Sequence, residues 1–332
     1  PMRLALLSLA IVLCVASTSL SQQALQFQLD GKLQTVLPLG YSSRSVIGLK
    51  TDGNLLEGSP SKIQDAKVLP RFSPLNQRQV RGLLLKEFGQ HFDVTGTGSY
   101  LIVHPKGAKD LWAGRFEELY RSMTHFFRTR GFPMQKPRFP LVGVVFYSKE
   151  QFVKYCRHVL KTDGTDSAGM YLETTNRIYL YDATRGNGEK SREWADNLAT
   201  VMHEAAHQTA FNCGIHPRGA TSPGWVVEGL GSLFEARGIY NSYQHRRPQD
   251  RVNYVRLRAF NIVVKDNAES LLTRLVASDK PFRREIGAAY GASWALTFYL
   301  SERQPRDYIR YLKKVATLEP YQLYSKTCLL YT

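Results

Sequence analysis

The chain of 332 residues is 43% hydrophobic, long enough for one large domain or two smaller ones. Its 44 Lys and Arg against 28 Asp and Glu leave a net charge of +16, yet no recognition helix, aromatic RNA-binding signature or basic tail accompanies it, which sets nucleic acid aside. The basic residues are spread along the chain, Arg246-Arg247 and Arg283-Arg284 being the notable pairs of the second half, and suit anionic envelope polymers or solubility.

Residues 1–21 read as a signal peptide: an apolar run from Leu4 to Val15 follows Arg3 and leads to Ser19-x-Ser21 as cleavage site. The run is short for a membrane span, so no stable span is expected and the mature protein is placed outside the cell or in the periplasm and envelope. Leu13 before Cys14 argues against a lipoprotein. Pro1 precedes Met2, and residues 328–332 resemble a translated adapter; both are set aside. Removing Cys14 and Cys328 leaves Cys156 and Cys213, either one disulfide, the reading taken here, or two buried thiols.

Leu25–Leu29 and Lys32–Val36 alternate around Asp30-Gly31, a strong hairpin signal, and Asp52-Gly53 marks a weaker one. Residues 22–72 thus form a small β-rich region, after which Ser73-Pro74 is expected to start a helix running to about Phe88. Phe92–Val94 and Tyr100–His104 read as strands around Thr95–Ser99, whose glycines suit a hairpin turn better than a phosphate loop. Ala108–Arg130 is a long helix, Leu141–Tyr147 a strand and Lys149–Leu160 a helix; His104, His125 and His158 lack ligand spacing and are read as structural. Met170–Glu173 and Arg177–Asp182 form a hairpin, and Arg192–Cys213 is a helix stopped by Gly214. Beyond Glu235 the pattern is helical over Asn253–Val264, Leu271–Val276, Glu285–Glu302 and Pro305–Thr317. Strands first and helices later give an α+β chain.

The helix Arg192–Cys213 carries His203-Glu204-Ala205-Ala206-His207. Histidines at this spacing project from one helix face, where neutral imidazoles can share one Zn²⁺ while Glu204 reaches water. A catalytic ion keeps one position open, so a third ligand must come from elsewhere. Glu228 fits: it stands among Trp225, Val226, Val227 and Leu230, where burying an unpaired carboxylate is costly and a cation removes that cost. Gly229 and Gly231, like Ala205 and Ala206, let two helices approach closely.

His203-Glu-x-x-His207 followed by Trp225-x-x-Glu228-Gly229 resembles the gluzincin metallopeptidases, the group of thermolysin and the aminopeptidase-N type enzymes. The metzincin pattern is excluded because Ala210 and Cys213 stand where it needs Gly and His. Over about residues 80–315 the chain resembles more closely an uncharacterised family of bacterial gluzincin-like secreted proteins. The residues that carry this are Arg115–Tyr120, Phe139–Val142, Thr175–Ile178 and Tyr290-x-x-Ser293-Trp294. The resemblance implies a zincin-like catalytic domain over 73–326, with a mixed sheet, an active-site helix and a mostly helical C-terminal part.

The expected function is zinc-dependent hydrolysis of peptide bonds in a peptide or protein substrate. His203, His207 and Glu228 would hold Zn²⁺, and Glu204 would take the proton of the attacking water and pass it to the leaving amine. Glu235, two turns beyond Glu228, is a candidate to orient an imidazole, though Ser232 stands where some gluzincins carry an acidic residue. The family also implies a Tyr or His donor to the developing oxyanion. Among Tyr290, Tyr240, His216 and His245, Tyr290 is preferred because Ala288, Ala289, Gly291 and Ala292 leave its phenol free to project. Related peptidases pair substrate with an edge strand, for which Arg177–Asp182 is the expected element. Two other readings remain: a zinc hydrolase of a non-peptide amide, and an envelope-binding module without turnover, against which Glu204 argues.

Overall fold

Asp30 and Gly31 both adopt positive φ, 48° and 72°, the conformation a two-residue hairpin needs to match the twist of its strands. The computed structural model describes residues 23–321 apart from Arg185 and Arg192, so the expected leader and the terminal pentapeptide lie outside the described residues. Strand β1 (Ala24–Leu29) turns there into β2 (Lys32–Tyr41), with Leu29 opposite Lys32. β3 (Val46–Lys50) and β4 (Leu55–Gly58) form the second hairpin, at Asp52-Gly53. A fifth strand, β5 (Ile63–Leu69), pairs with β1 and completes an antiparallel sheet of order β4-β3-β2-β1-β5. Its sequence, IQDAKVL, lacks alternation because most of this edge strand is exposed.

Helix α1 (Gln77–Phe88) begins three residues later than Ser73-Pro74 implied. Asn76 and Gln79 form a reciprocal capping box there, Asn76 Oδ1 accepting from Gln79 N at 3.0 Å and Gln79 Oε1 from Asn76 N at 2.9 Å. Strands β6 (Phe92–Gly96), β7 (Tyr100–Pro105), β8 (Leu141–Phe146), β9 (Gly169–Leu172) and β10 (Arg177–Tyr181) make a second sheet of order β6-β7-β8-β10-β9. The centre is parallel and both edges are antiparallel, so the chain is α+β with a mixed sheet. β10 is therefore central, hydrogen-bonded to β8 and β9, and the expected edge strand is instead β9. Consecutive Ile178, Tyr179 and Leu180 are all buried, which is what a strand covered on both faces requires.

One face of this sheet packs Val80 and Leu84 of α1 and Phe152 of α3 (Lys149–Tyr155) against Val103, Val144 and Tyr179. The other packs α2 (Lys109–Thr129) and α4 (Trp194–Asn212) against Ile102, Val145, Ile178 and Leu180. The cysteines are separated by this layering. Cys156 belongs to the first face and Cys213 ends α4 on the second; both are buried free thiols, so the expected disulfide is absent. Face-to-face layers stand about 10 Å apart, beyond the reach of an S–S bridge.

Helix α5 (Gly224–Phe234) follows α4, and α6 (Tyr254–Ala277), α7 (Ile286–Arg303) and α8 (Pro305–Val315) complete the helical part. The expected break between Val264 and Leu271 is absent: α6 is one continuous helix. Among the described residues no helix is long and apolar enough to cross a membrane.

Candidate metal centre

Gln208 fixes α4 to the sheet, its amide donating to Val142 O at 3.0 Å and Asn176 O at 2.7 Å. With that face anchored, His203 and His207 project together toward α5. Gly231 of α5 lies against them: a Cβ there would stand 2.8 Å from His203 Cε1 and 2.9 Å from His207 Cε1. Gly229 plays the same part toward α7, where a Cβ would come within 2.6 Å of Ser293 O. The close approach expected of these glycines and of buried Ala205 and Ala206 is thus present.

Glu228 reaches the two imidazoles from α5. His203 Nε2 is 2.9 Å from His207 Nε2 and 3.2 Å from Glu228 Oε2, which lies 3.6 Å from His207 Nε2. An ion bound tetrahedrally at about 2.1 Å separates its ligands by about 3.4 Å, so the three atoms already span the base of such a tetrahedron. His203, His207 and Glu228 can hold a metal ion. The electrostatics agree with a convergence of acceptors. Burial by itself pushes the His203 imidazole down, but Glu228 and Glu235 at its two nitrogens outweigh this and raise it to about 10. Glu228, despite burial, is held well below the usual carboxylate range by His207 and His203. A metal ion takes the place of the shared proton at such a point.

Glu235 is placed as expected under His203, accepting from Nδ1 at 2.8 Å. Burial disfavours its charge, yet His203 and Arg256 bring it down to about 2. Arg256 holds it through Nε at 3.1 Å and Nη2 at 2.6 Å, and Asn253 Nδ2 donates at 2.6 Å. Ser232 contributes only its carbonyl, which accepts from Asn253 at 3.0 Å. Asn253 and Arg256 were not anticipated. Asn253 is legible as a helix cap, since it accepts from Arg256 N at 3.2 Å, but nothing in the local pattern points either residue at Glu235.

Glu204 is partly buried, on the side of α4 that meets the sheet edge, where Tyr171 N of β9 donates to its Oε2 at 2.6 Å. It is not one of the three converging ligands. Tyr290, on α7, comes to the centre: its ring centroid is 6.1 Å from that of His203, and Arg256 lies 4.9 Å over its face. Burial and then the neighbouring Glu228 carboxylate push its phenol up.

The other three donor candidates are placed differently. Tyr240 is buried away from the ligands near Glu118 and Arg115, and His245 lines a separate cavity. His216 is buried against Phe211 with neither ring nitrogen bonded to protein, and burial pushes it down to about 3. Of the histidines read as structural, buried His104 bonds to Thr95 Oγ1 at 2.8 Å and His158 to Lys154 O at 2.9 Å.

Residues 197–322 match the model of a family described as a protein of unknown function (DUF1570), a span that contains His203, Glu204, His207, Glu228, Glu235 and Tyr290. No curated protein matches the chain.

Proposed function

We propose that the protein is a gluzincin-like metallopeptidase that hydrolyses peptide bonds with Zn²⁺ held by His203, His207 and Glu228. The observation that carries this reading is the triangle of two Nε2 atoms and one carboxylate oxygen, at 2.9, 3.2 and 3.6 Å, flanked by a second carboxylate, Glu204, outside it. Two imidazoles and one carboxylate are a catalytic rather than a structural donor set, with one position left for solvent or substrate. The ion, when bound, supplies a Lewis acid that polarises a carbonyl and makes a water acidic near neutral pH.

The remaining work falls to side chains of the chain itself. Glu204, oriented by the Tyr171 amide, accepts the proton of the attacking water and delivers it to the leaving nitrogen. Tyr290, across the centre on α7, donates its hydroxyl to the oxygen on which negative charge builds. A phenol raised above its usual range keeps its proton for that purpose. Glu235, itself fixed by Arg256 and Asn253, holds the His203 ring with Nε2 toward the ion. The edge position expected of β10 belongs to β9, whose Tyr171 lies beside Glu204, so an extended substrate backbone would run along β9.

Zinc titration followed by turnover of a mixed peptide library tests the reading. Wild type should hold one ion per chain and cleave peptides, and His203→Ala and His207→Ala should lose the ion. Equal metal loading of wild type and both variants removes the ligand assignment; a zinc-loaded wild type that cleaves no peptide removes the activity.

A further inference from the structure

Away from the metal centre, where α2 meets the helical turn Arg237–Tyr240, the surface holds a cavity of about 670 Å³. Arg121, Arg130, Arg246 and Arg251 line it with His125 and His245, and among the described residues no carboxylate does. The nearby carboxylates are too few to balance the arginines. Arg130 and Arg251 share one, Glu302, which bonds Arg251 and lies 4.0 Å from Arg130. Arg121 reaches Glu117 at 3.3 Å through Nε alone, and that carboxylate already accepts from Thr97 Oγ1 at 2.7 Å and Ser99 N at 3.0 Å. Arg246 donates Nε to Tyr243 O at 2.9 Å, and its guanidinium lies 5.1 Å over the Tyr243 ring.

Desolvation adds to the imbalance. Arg130 sits 3.6 Å over the Phe126 ring, and burial works against its charge more than Glu302 supports it, with a smaller opposing contribution from Arg251. Two guanidinium groups crowded around one carboxylate in a partly dry concavity are stabilised by a second anion. A second cavity of about 480 Å³ shares His245 and adds Arg237 and Arg247, but Glu235 and Asp250 line it as well, Asp250 pairing with Arg247 at 3.0 Å. The excess of positive charge therefore lies in the first cavity, whose four guanidinium groups suit several anionic groups carried on one molecule rather than a single ion. Phosphate matches planar guanidinium donors in pairs.

We propose that this cavity binds a linear polyanion, with successive phosphate groups meeting Arg121, Arg130, Arg251 and Arg246. It gives a definite place to part of the net charge of +16 and stands whether or not the metal centre hydrolyses peptides. A flat bilayer surface fits less well, because Arg130 and Arg251, with 22% and 34% of their side chains exposed, are set back in a concave wall.

The test is calorimetric titration of the full chain with short linear polyphosphate, at low and at raised salt. Wild type should bind, more weakly as salt rises. The double variant Arg121→Ala, Arg246→Ala should bind about tenfold or more weakly, with metal content and thermal midpoint unchanged, since both side chains are exposed. Arg283→Ala with Arg284→Ala, which removes the same charge elsewhere, should change affinity by less than about twofold. Equal weakening by the two double variants would show diffuse attraction and overturn the site. Absence of polyphosphate binding at low salt would overturn it as well. Binding to phosphatidylglycerol vesicles but not to polyphosphate would assign the patch to a membrane surface instead.

Discussion

On the sheet face covered by α1 and α3, the polar side chains close on one another. Tyr155 Oη donates to Glu87 Oε1 at 2.7 Å, Arg177 Nη1 reaches both Glu87 oxygens at 2.9 and 2.8 Å, and Tyr179 Oη donates to Thr175 Oγ1 at 3.2 Å. On the face covered by α2 and α4, two imidazole nitrogens and a carboxylate oxygen instead converge on one point, and buried His207 Nδ1 and both nitrogens of His216 have no protein partner. Both faces bury large apolar clusters, so packing does not distinguish them. What differs is the polar accounting: the side chains of the first face pair with one another, whereas His203, His207 and Glu228 on the second converge closely enough to hold a metal ion.

The largest expected effect separates holding the ion from using it. Glu204→Gln leaves His203, His207 and Glu228 intact, so zinc content should stay at the wild-type level while kcat falls by about a thousandfold. Full activity in this variant would remove Glu204 as the base even with zinc present. Tyr290→Phe comes next. It deletes one hydroxyl and keeps the ring against His203 and Arg256, so kcat should drop about a hundredfold with metal content unchanged. Normal turnover would return Tyr290 to a packing role.

Glu235→Gln probes the support beneath the ligands. Glutamine can still accept from His203 Nδ1 but loses the charge that draws Arg256, so zinc affinity should weaken by about 10-fold to 100-fold. A chelator competition reads this directly. The substitution tests the same comparison from below, because on the closed face Glu87 has no ion to support: Glu87→Gln should lower thermal stability and leave zinc affinity unchanged.

How much of this was legible in the sequence depended on how local each signal was. His203, Glu204 and His207 declare themselves because helix geometry converts their spacing directly into a shared face. Glu228 declares itself through the apolar residues around it, and the Asp30-Gly31 hairpin through its turn chemistry. Arg256 was not legible, since it meets Glu235 across a separation of 21 residues that no periodicity encodes. The β9–β10 hairpin was read correctly, but which strand takes the edge depends on a parallel pairing of β10 with β8, which is far away in the chain. Tyr179 of β10 is 1% exposed, with its hydroxyl satisfied by Thr175, as a strand covered on both faces requires. β5 escaped notice for the opposite reason, its exposed edge carrying almost no apolar pattern.

The smallest expected effect uses the two cysteines as reporters, one for each face. Cys156 lies in the cluster under α1 and α3, and Cys213 ends α4, six residues beyond His207. Burial pushes the Cys156 thiol up and the Cys213 thiol up to about 12, so neither forms thiolate readily in the native state. Alkylation at neutral pH, followed residue by residue by peptide mass spectrometry, should therefore be slow at both and fast at both in denaturant; absence of either free thiol in oxidised, denatured protein would restore the disulfide. Removing the ion then separates the faces. An ion bound to the native centre stabilises that arrangement by mass action, so its loss lowers the cost of opening the end of α4. Chelation should speed labelling of Cys213 by several-fold and leave Cys156 near its native rate, because the apolar cluster it shares with Phe152 and Tyr179 contains none of the metal ligands. Equal acceleration at both sites would mean that the two faces open together, and that the centre supports the whole sheet rather than one side of it.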